Sequence, residues 1–185
     1  MGRLIQWNLM TLDGYFEGEK IWDLDFHQSV WGEELERYSI DQLRSAKMLL
    51  FGRVTYEGMA AYWQQAQGEV ADFMNGLPKV VFSRSLVRAE WQNTTLIRSS
   101  PVAEVEALKS KVDGDIYVFG SGMLCASLLD AGLFDELRLA LAPLVLGVGT
   151  TLFGRDLSRV HLKLLESRPL SNGCLILRYK PLHRH

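Results

Sequence analysis

The chain has 185 residues, 48% of them hydrophobic, and its 20 basic and 22 acidic side chains leave a formal net charge of -2. That length predicts a single domain, residues 1–185, burying roughly 70% of the surface an unfolded chain exposes, and without a block of about five like charges, nucleic acid and anionic membrane surfaces are excluded as partners. Cys125 and Cys174 lack CxxC spacing, which excludes the common zinc patterns and predicts no metal, and with no apolar run of about 18 residues and no leader-like N-terminus the protein is expected in the cytoplasm, working on a small molecule.

In chain order, Ile5, Trp7 and Leu9 alternate with Gln6, Asn8 and Met10, which predicts a strand with unequal faces; Asp13-Gly14 then breaks it with a strong turn signal. The loop from Glu17 to Phe26 follows. Its Trp22, Asp23 and Asp25, with Tyr15, are candidates for the wall of a pocket for a flat polar ring; otherwise the loop is plain surface anchored by one tryptophan. A helix is expected next, with Trp31, Leu35 and Tyr38 on its apolar stripe, and Ser39-Ile-Asp-Gln42 has the form of a capping box opening a second short turn. Lys47 to Phe51 reads as a buried strand ending at Gly52-Arg53, after which Tyr56, Met59, Ala60, Trp63 and Gln67 recur at helical spacing. Arg53 then falls in a first helical turn. A cation there opposes the helix dipole unless it meets a bound anion or reaches into solvent.

Val70, Phe73 and Met74 mark a short helix closed by Asn75-Gly76, and the strand Lys79 to Phe82 ends in Ser83-Arg84-Ser85. Two hydroxyls and a guanidinium can grip a phosphate with charge-assisted hydrogen bonds, or form an ordinary solvated turn. Thr94 to Ile97 reads as a strand, and Ser100-Pro101 supplies an N-cap and a proline at N1 for a helix carrying Val102, Val105, Leu108 and Val112. Asp115 to Phe119 is a β-favouring run without alternation that enters Gly120-Ser-Gly122, and Leu124, Leu128 and Ala131 then recur on one helical face until Gly132. Bare N–H groups and the positive dipole end at such a helix start suit a phosphate. Gly120, Ser121 and Gly122 are therefore candidates for a cofactor pyrophosphate, the alternative being a strand-to-helix turn that needs glycine only for close packing.

From Leu137 onward the pattern is pure strand. Leu137, Leu139 and Leu141 alternate with Glu136, Arg138 and Ala140, and Val160 to Glu166 and Cys174 to Tyr179 read as strands joined across Asn172-Gly173. The expected architecture is a mixed sheet with helices on both faces, parallel in the middle and antiparallel at the C-terminal edge. In such a sheet ligands bind beyond the carboxyl ends of the strands, so the three polar junctions are expected to converge on a dinucleotide. Neither a Rossmann fingerprint nor a P-loop is present. Two arginines at separate junctions exceed what a pyrophosphate needs and point to the additional 2′-phosphate of NADP.

Thr11-Leu-Asp-Gly14, Gly52-Arg-Val-Thr-Tyr-Glu57, Lys79-Val-Val-Phe-Ser-Arg84, Gly120-Ser-Gly-Met-Leu124, Gly132-Leu-Phe-Asp-Glu-Leu137 and Pro143-Leu-Val-Leu-Gly-Val-Gly149 through Leu152-Phe153 carry a resemblance. In this order they are similar to the dihydrofolate-reductase-like family that includes the reductase domain of riboflavin biosynthesis. The resemblance implies a three-layer α/β/α dihydrofolate-reductase-like fold, with a mixed, mostly parallel sheet and an antiparallel C-terminal hairpin, acting as an NADPH-dependent reductase. It implies that Gly52, Arg53 and Thr55 touch the cofactor phosphates, that Ser83 and Arg84, with Ser85 beside them, meet the 2′-phosphate, and that Gly120, Ser121, Gly122, Met123 and Leu124 hold the pyrophosphate. Asp13 and Gly14 would lie in the loop over the nicotinamide, making Asp13 the candidate catalytic carboxylate, as proton relay or orienting acceptor; an Asp-Gly turn bonding its own backbone is the alternative.

The implied reaction is hydride transfer from NADPH to a C=N or C=O carbon of a pyrimidine- or pterin-like heterocycle, with 5-amino-6-(5-phosphoribosylamino)uracil as one such substrate. The bifunctional riboflavin enzymes also carry a zinc deaminase with HxE and PCxxC motifs, which this chain lacks. Two other classes stay open, a noncatalytic NADP-binding module and a homodimeric scaffold with a vestigial pocket. The apolar loop Pro143 to Gly149 suits a homodimer interface in each case.

Overall fold

The computed structural model describes residues 1–154 and 156–182. The chain runs through β1 (Arg3–Thr11), β2 (Tyr15–Glu17), a 3-10 turn (Asp25–Ser29), α1 (Glu33–Ser45), β3 (Ala46–Gly52), α2 (Arg53–Trp63), α3 (Glu69–Gly76), β4 (Lys79–Phe82) and β5 (Thr94–Ile97). It continues through α4 (Pro101–Lys111), β6 (Asp115–Phe119), α5 (Gly122–Asp130), β7 (Glu136–Ala142), β8 (Thr150–Thr151), β9 (His161–Pro169) and β10 (Leu175–Leu182). Eight strands form one sheet in the order β5-β4-β3-β6-β1-β7-β10-β9. The strands from β5 to β7 are mutually parallel, and β10 and β9 close the edge antiparallel. The three-layer mixed sheet with its antiparallel C-terminal hairpin is as expected.

Alternation along the strands sorts the apolar side chains into two cores. Ile5, Leu49, Val81 and Tyr117 face α1, α2 and α3, meeting Leu35, Leu43, Tyr56 and Met74. Leu4, Leu50, Val80 and Val118 face α4 and α5, meeting Val105, Leu124 and Leu128. Burying one such side chain stabilises the fold by about 1.5–3 kcal/mol, which is why the inner parallel strands β4, β3, β6, β1 and β7, covered on both faces, are mostly apolar.

The interruptions are informative. Gln6 and Asn8 are buried, and the Gln6 amide donates to Asn8 Oδ1 at 3.1 Å, so the strand with two unequal faces is in fact covered on both. In β7 the expected polar positions Glu136 and Arg138 are also buried. Arg138 Nε donates to Glu136 Oε1 at 2.7 Å, and its NH1 donates to the Tyr117 hydroxyl at 2.8 Å. Burial pushes the Glu136 carboxyl up, but the donors from Arg178 and Arg138 outweigh it and hold its pKa below the ordinary value.

Two local expectations are corrected. Ser39 does not open a new turn: α1 is continuous to Ser45, and the Ser39 hydroxyl donates to Leu35 O at 2.9 Å inside the helix. Trp31 precedes α1 instead of lying on its stripe. The short ribbon of β2 with β8 was not expected from the sequence at all. Among the described residues no helix is long and apolar enough to cross a membrane.

Candidate functional site

β4, β3 and β6 are neighbours that point the same way, so Ser83–Ser85, Gly52–Arg53 and Gly120–Gly122 leave the sheet at one edge. The two inner junctions are tied together. Gly52 N–H donates to Ser121 Oγ at 2.9 Å, Ser121 N–H donates to Thr55 Oγ1 at 2.9 Å, and the Ser121 hydroxyl donates to Phe119 O at 3.0 Å. Gly120 and Ser121 both have a φ of 56°, and a Cβ on Gly120 would approach Thr55 Cγ2 to 2.8 Å, so glycine is required there by conformation and by space. This bend delivers α5 with its N-terminus open. Among the described residues no side chain caps it, and its first helical bond is from Cys125 N–H to Ser121 O at 2.8 Å. The N–H groups of Gly122, Met123 and Leu124 are left without helical acceptors, at the positive end of the dipole.

An outer cavity of about 640 Å³ opens over this edge, within the usual size of a ligand site, roughly 300–1,000 Å³. Gly52, Arg53, Thr55, Ser121, Gly122, Met123 and Leu124 line it, and Thr150, Thr151 and Leu152 of the β2–β8 side form its opposite wall. Gly120 instead lines an inner cavity of about 140 Å³ between the sheet, α1, α2 and the loop before α1. Phe16, Glu17 and Thr55 belong to both cavities, so the two spaces meet at these residues.

Arg53 lies at the outer cavity but its guanidinium donates to Glu57 at 2.9 Å, one helical turn on. The carboxylate accounts for a cation in the first turn of α2 without any ligand. Ser83, Arg84 and Ser85 lie just outside the cavity, where Phe82 is the lining residue from β4. Ser83 Oγ accepts from the N–H groups of Ser85 and Leu86 at 3.2 and 3.0 Å, forming a solvated turn. Among the described residues the Arg84 guanidinium pairs with no carboxylate.

Asp13 is not brought to either cavity. It accepts from the Thr11 hydroxyl at 2.6 Å and from the N–H groups of Leu146 and Gly147 at 3.0 and 2.8 Å. The Thr11 hydroxyl and these backbone donors hold its pKa down at about 2. Through these bonds Asp13 clasps the loop after β7 to the end of β1.

Of the expected pocket wall, Trp22 lines the inner cavity while Tyr15, Asp23 and Asp25 do not. Trp22 has a φ of 66° and lies against Gly58, where any Cβ would come within 2.3 Å of the indole. A glycine in the middle of α2, at a cost of up to about 1 kcal/mol relative to alanine, was the sequence signal for that close approach. Glu17, His27 and Gln42 were missed. Glu17 Oε2 accepts from Trp22 N–H at 2.9 Å. His27 and Gln42 reach the inner cavity from the 3-10 turn and α1, and burial pushes the His27 pKa down to about 4. Nothing in their spacing marked them for a cavity, because Glu17 and His27 come from segments that read as loop and Gln42 reads in sequence as the end of a capping box.

The RibD C-terminal domain family matches residues 4–176. The uncharacterized protein YyaP of Bacillus subtilis (strain 168) is 28% identical over 181 residues, 92% of this chain and 90% of its own. A protein of Shewanella sp. PV-4 assigned to riboflavin biosynthesis superposes with a TM-score of 0.80 at 19% identity, over 98% of this chain and 99% of that one. Dihydrofolate reductase from Enterococcus faecalis, in a complex with NADP(H), superposes with a TM-score of 0.65 at 16% identity, over 97% of this chain and 96% of its own. These structural likenesses establish a shared fold. With the family pattern spanning nearly all of the sheet and both helical layers, the chain belongs to the RibD C-terminal domain family, on a dihydrofolate-reductase-like fold.

Proposed function

We propose that the protein is an NADPH-dependent reductase in which the dinucleotide lies in the outer cavity and a heterocyclic substrate in the inner one. The observation that carries this reading is the junction of the two cavities at Phe16, Glu17 and Thr55, beside the open N-terminus of α5. The residues present fit the cofactor. The N–H groups of Gly122, Met123 and Leu124 hold the pyrophosphate, Gly120 makes the bend that presents them, and Arg53 and Thr55 stand beside the phosphates. Arg84, which pairs with no carboxylate among the described residues, takes the 2′-phosphate with Ser83 and Ser85. NADPH supplies a hydride to a C=N or C=O carbon, and one proton must reach the adjoining nitrogen or oxygen.

Among the described residues Glu17 is the carboxylate that lines both cavities, which supports it as the relay for that proton. Phe16 walls the junction and excludes water from it. The experiment is NADPH oxidation, followed by absorbance, across a panel of pyrimidines, pterins and flavins with wild type and Glu17→Gln. At least one substrate is expected to turn over, and Glu17→Gln to lower its kcat by about a hundredfold with NADPH affinity retained. NADPH binding without turnover on any compound would instead make the protein a binding module.

A further inference from the structure

The inner cavity has a chemistry that narrows its ligand. Its walls are aromatic and apolar, with Trp22, Trp31, Trp63 and Met59 among them, and its volume of about 140 Å³ is on the order of that which holds one six-membered ring. Among the described residues no lysine or arginine lines it. Glu17 is its charged lining residue, and burial keeps His27 neutral at ordinary pH. A phosphate group placed there would lose its water, find no cation, and stand beside a carboxylate.

The polar side of the cavity is built. Gln42 is 4% exposed, and its Oε1 accepts from Arg138 NH1 at 3.3 Å. Arg138 is in turn fixed by Glu136 and by the Tyr117 hydroxyl. With the amide oxygen thus engaged, Gln42 Nε2 is left buried with no acceptor among the described residues, and His27 Nε2 is likewise buried without a partner among them. Buried donors in native folds are nearly always satisfied. Both residues line the cavity, so the acceptor that Gln42 Nε2 lacks is one a ligand can bring, as is a partner for His27 Nε2 in whichever tautomer the ring holds.

We propose that the inner cavity binds an uncharged, planar heterocycle lacking a ribosyl phosphate, which presents a ring carbonyl or pyridine-type nitrogen to Gln42 Nε2. Naming this ligand the substrate rests on the reductase reading, whereas its binding does not. The missing acceptor, the aromatic walls and the absence of a cation at the described lining all select the same class. A phosphoribosylated pyrimidine is outside it.

The test is calorimetric titration of the whole protein with uracil, lumazine, uridine 5′-monophosphate and toluene. Uracil or lumazine is expected to bind, with the nucleotide at least about tenfold weaker than uracil. Gln42→Met should weaken the heterocycle by about tenfold or more, the loss of one buried hydrogen bond, and leave toluene, which needs no donor, unchanged. Gln42→Glu keeps an oxygen toward Arg138 and removes the donor, so it gives the same answer if Gln42→Met fails to fold. Nucleotide binding equal to or tighter than uracil overturns the uncharged class. Failure of both heterocycles to bind overturns the site, and unchanged affinity in the variants overturns the role of Gln42. NADPH titrated separately reports on the outer cavity, so its failure to bind would end the reductase reading and leave this assignment intact.

Discussion

Arg53 and Arg84 look alike in sequence, each following a strand at a polar junction, yet the structure gives them different neighbours. Arg53 pairs with Glu57, whereas Arg84 has no carboxylate partner among the described residues. A hydrogen bond to a charged group contributes roughly 1.5–3 kcal/mol, or about ten- to a hundredfold in affinity. Arg84→Ala should therefore weaken NADPH by about that factor and leave NADH nearly unchanged, with the difference shrinking as salt is raised. Equal weakening of both cofactors would move the 2′-phosphate to Arg53. His27 gives a prediction of another kind. Its pKa falls from 6.5 to about 4 because burial disfavours the charged ring, so the unfolded chain binds the proton more readily between those values. Stability should be full above pH 6.5 and fall by about 2 kcal/mol between pH 7 and pH 5. Urea unfolding at the two pH values should show that loss in wild type and a smaller one in His27→Phe; identical losses would place the titration elsewhere. The glycines of Gly120-Ser-Gly122 were legible because their conformation is local, while Glu17, His27 and Gln42 were not, since a cavity gathers them from separate segments.

Elements were read well where a single face decides them and poorly where tertiary contacts do. Ser39-Ile-Asp-Gln42 has the letters of a capping box, but Leu35, Tyr38 and Leu43 bury continuously across it and the helix runs on. The alternation in β7 was read as apolar against polar, and the ion pairs of Glu136 with Arg138 and Arg178 let the polar side be buried as well. Lys79 is the sharpest case. It opens β4 with a charged side chain, yet it is 1% exposed, and its ammonium donates to the carbonyls of Met74, Asn75 and Leu77 at 2.9, 3.1 and 2.8 Å and lies 4.6 Å from the centre of the Trp91 ring. This lysine closes the C-terminal end of α3 with the charge that the dipole favours there. Lys79→Met keeps the length and removes the donors, so it should cost about 2–3 kcal/mol, seen as a lower urea midpoint at unchanged slope. A neutral substitution would mean that the carbonyls are satisfied by water.

Across the whole molecule, the site exists because of an order of strands that the sequence does not state. Three strand ends with glycine or serine could have emerged anywhere along the sheet; their adjacency as β4, β3 and β6 makes them one floor. The opposite wall comes from β2 and β8, two short strands more than a hundred residues apart in the chain and too short to be read from periodicity. Asp13 holds that arrangement by clasping the loop after β7 to the end of β1. The central claim is that a dinucleotide seats its pyrophosphate on the open end of α5. Gly122 has an ordinary backbone conformation, and a Cβ there would meet Phe16 Cε1 at 3.1 Å, so a branched side chain crowds the helix end and makes the Phe16 ring shift, which is why thermal unfolding has to accompany the binding measurement. The direct measurement is calorimetric titration of NADPH into wild type and Gly122→Val, with thermal unfolding of both. The account predicts saturable binding in wild type, affinity lower by at least about tenfold in the variant, and a melting transition retained by both; undiminished binding by a folded Gly122→Val, or none by wild type, would contradict it.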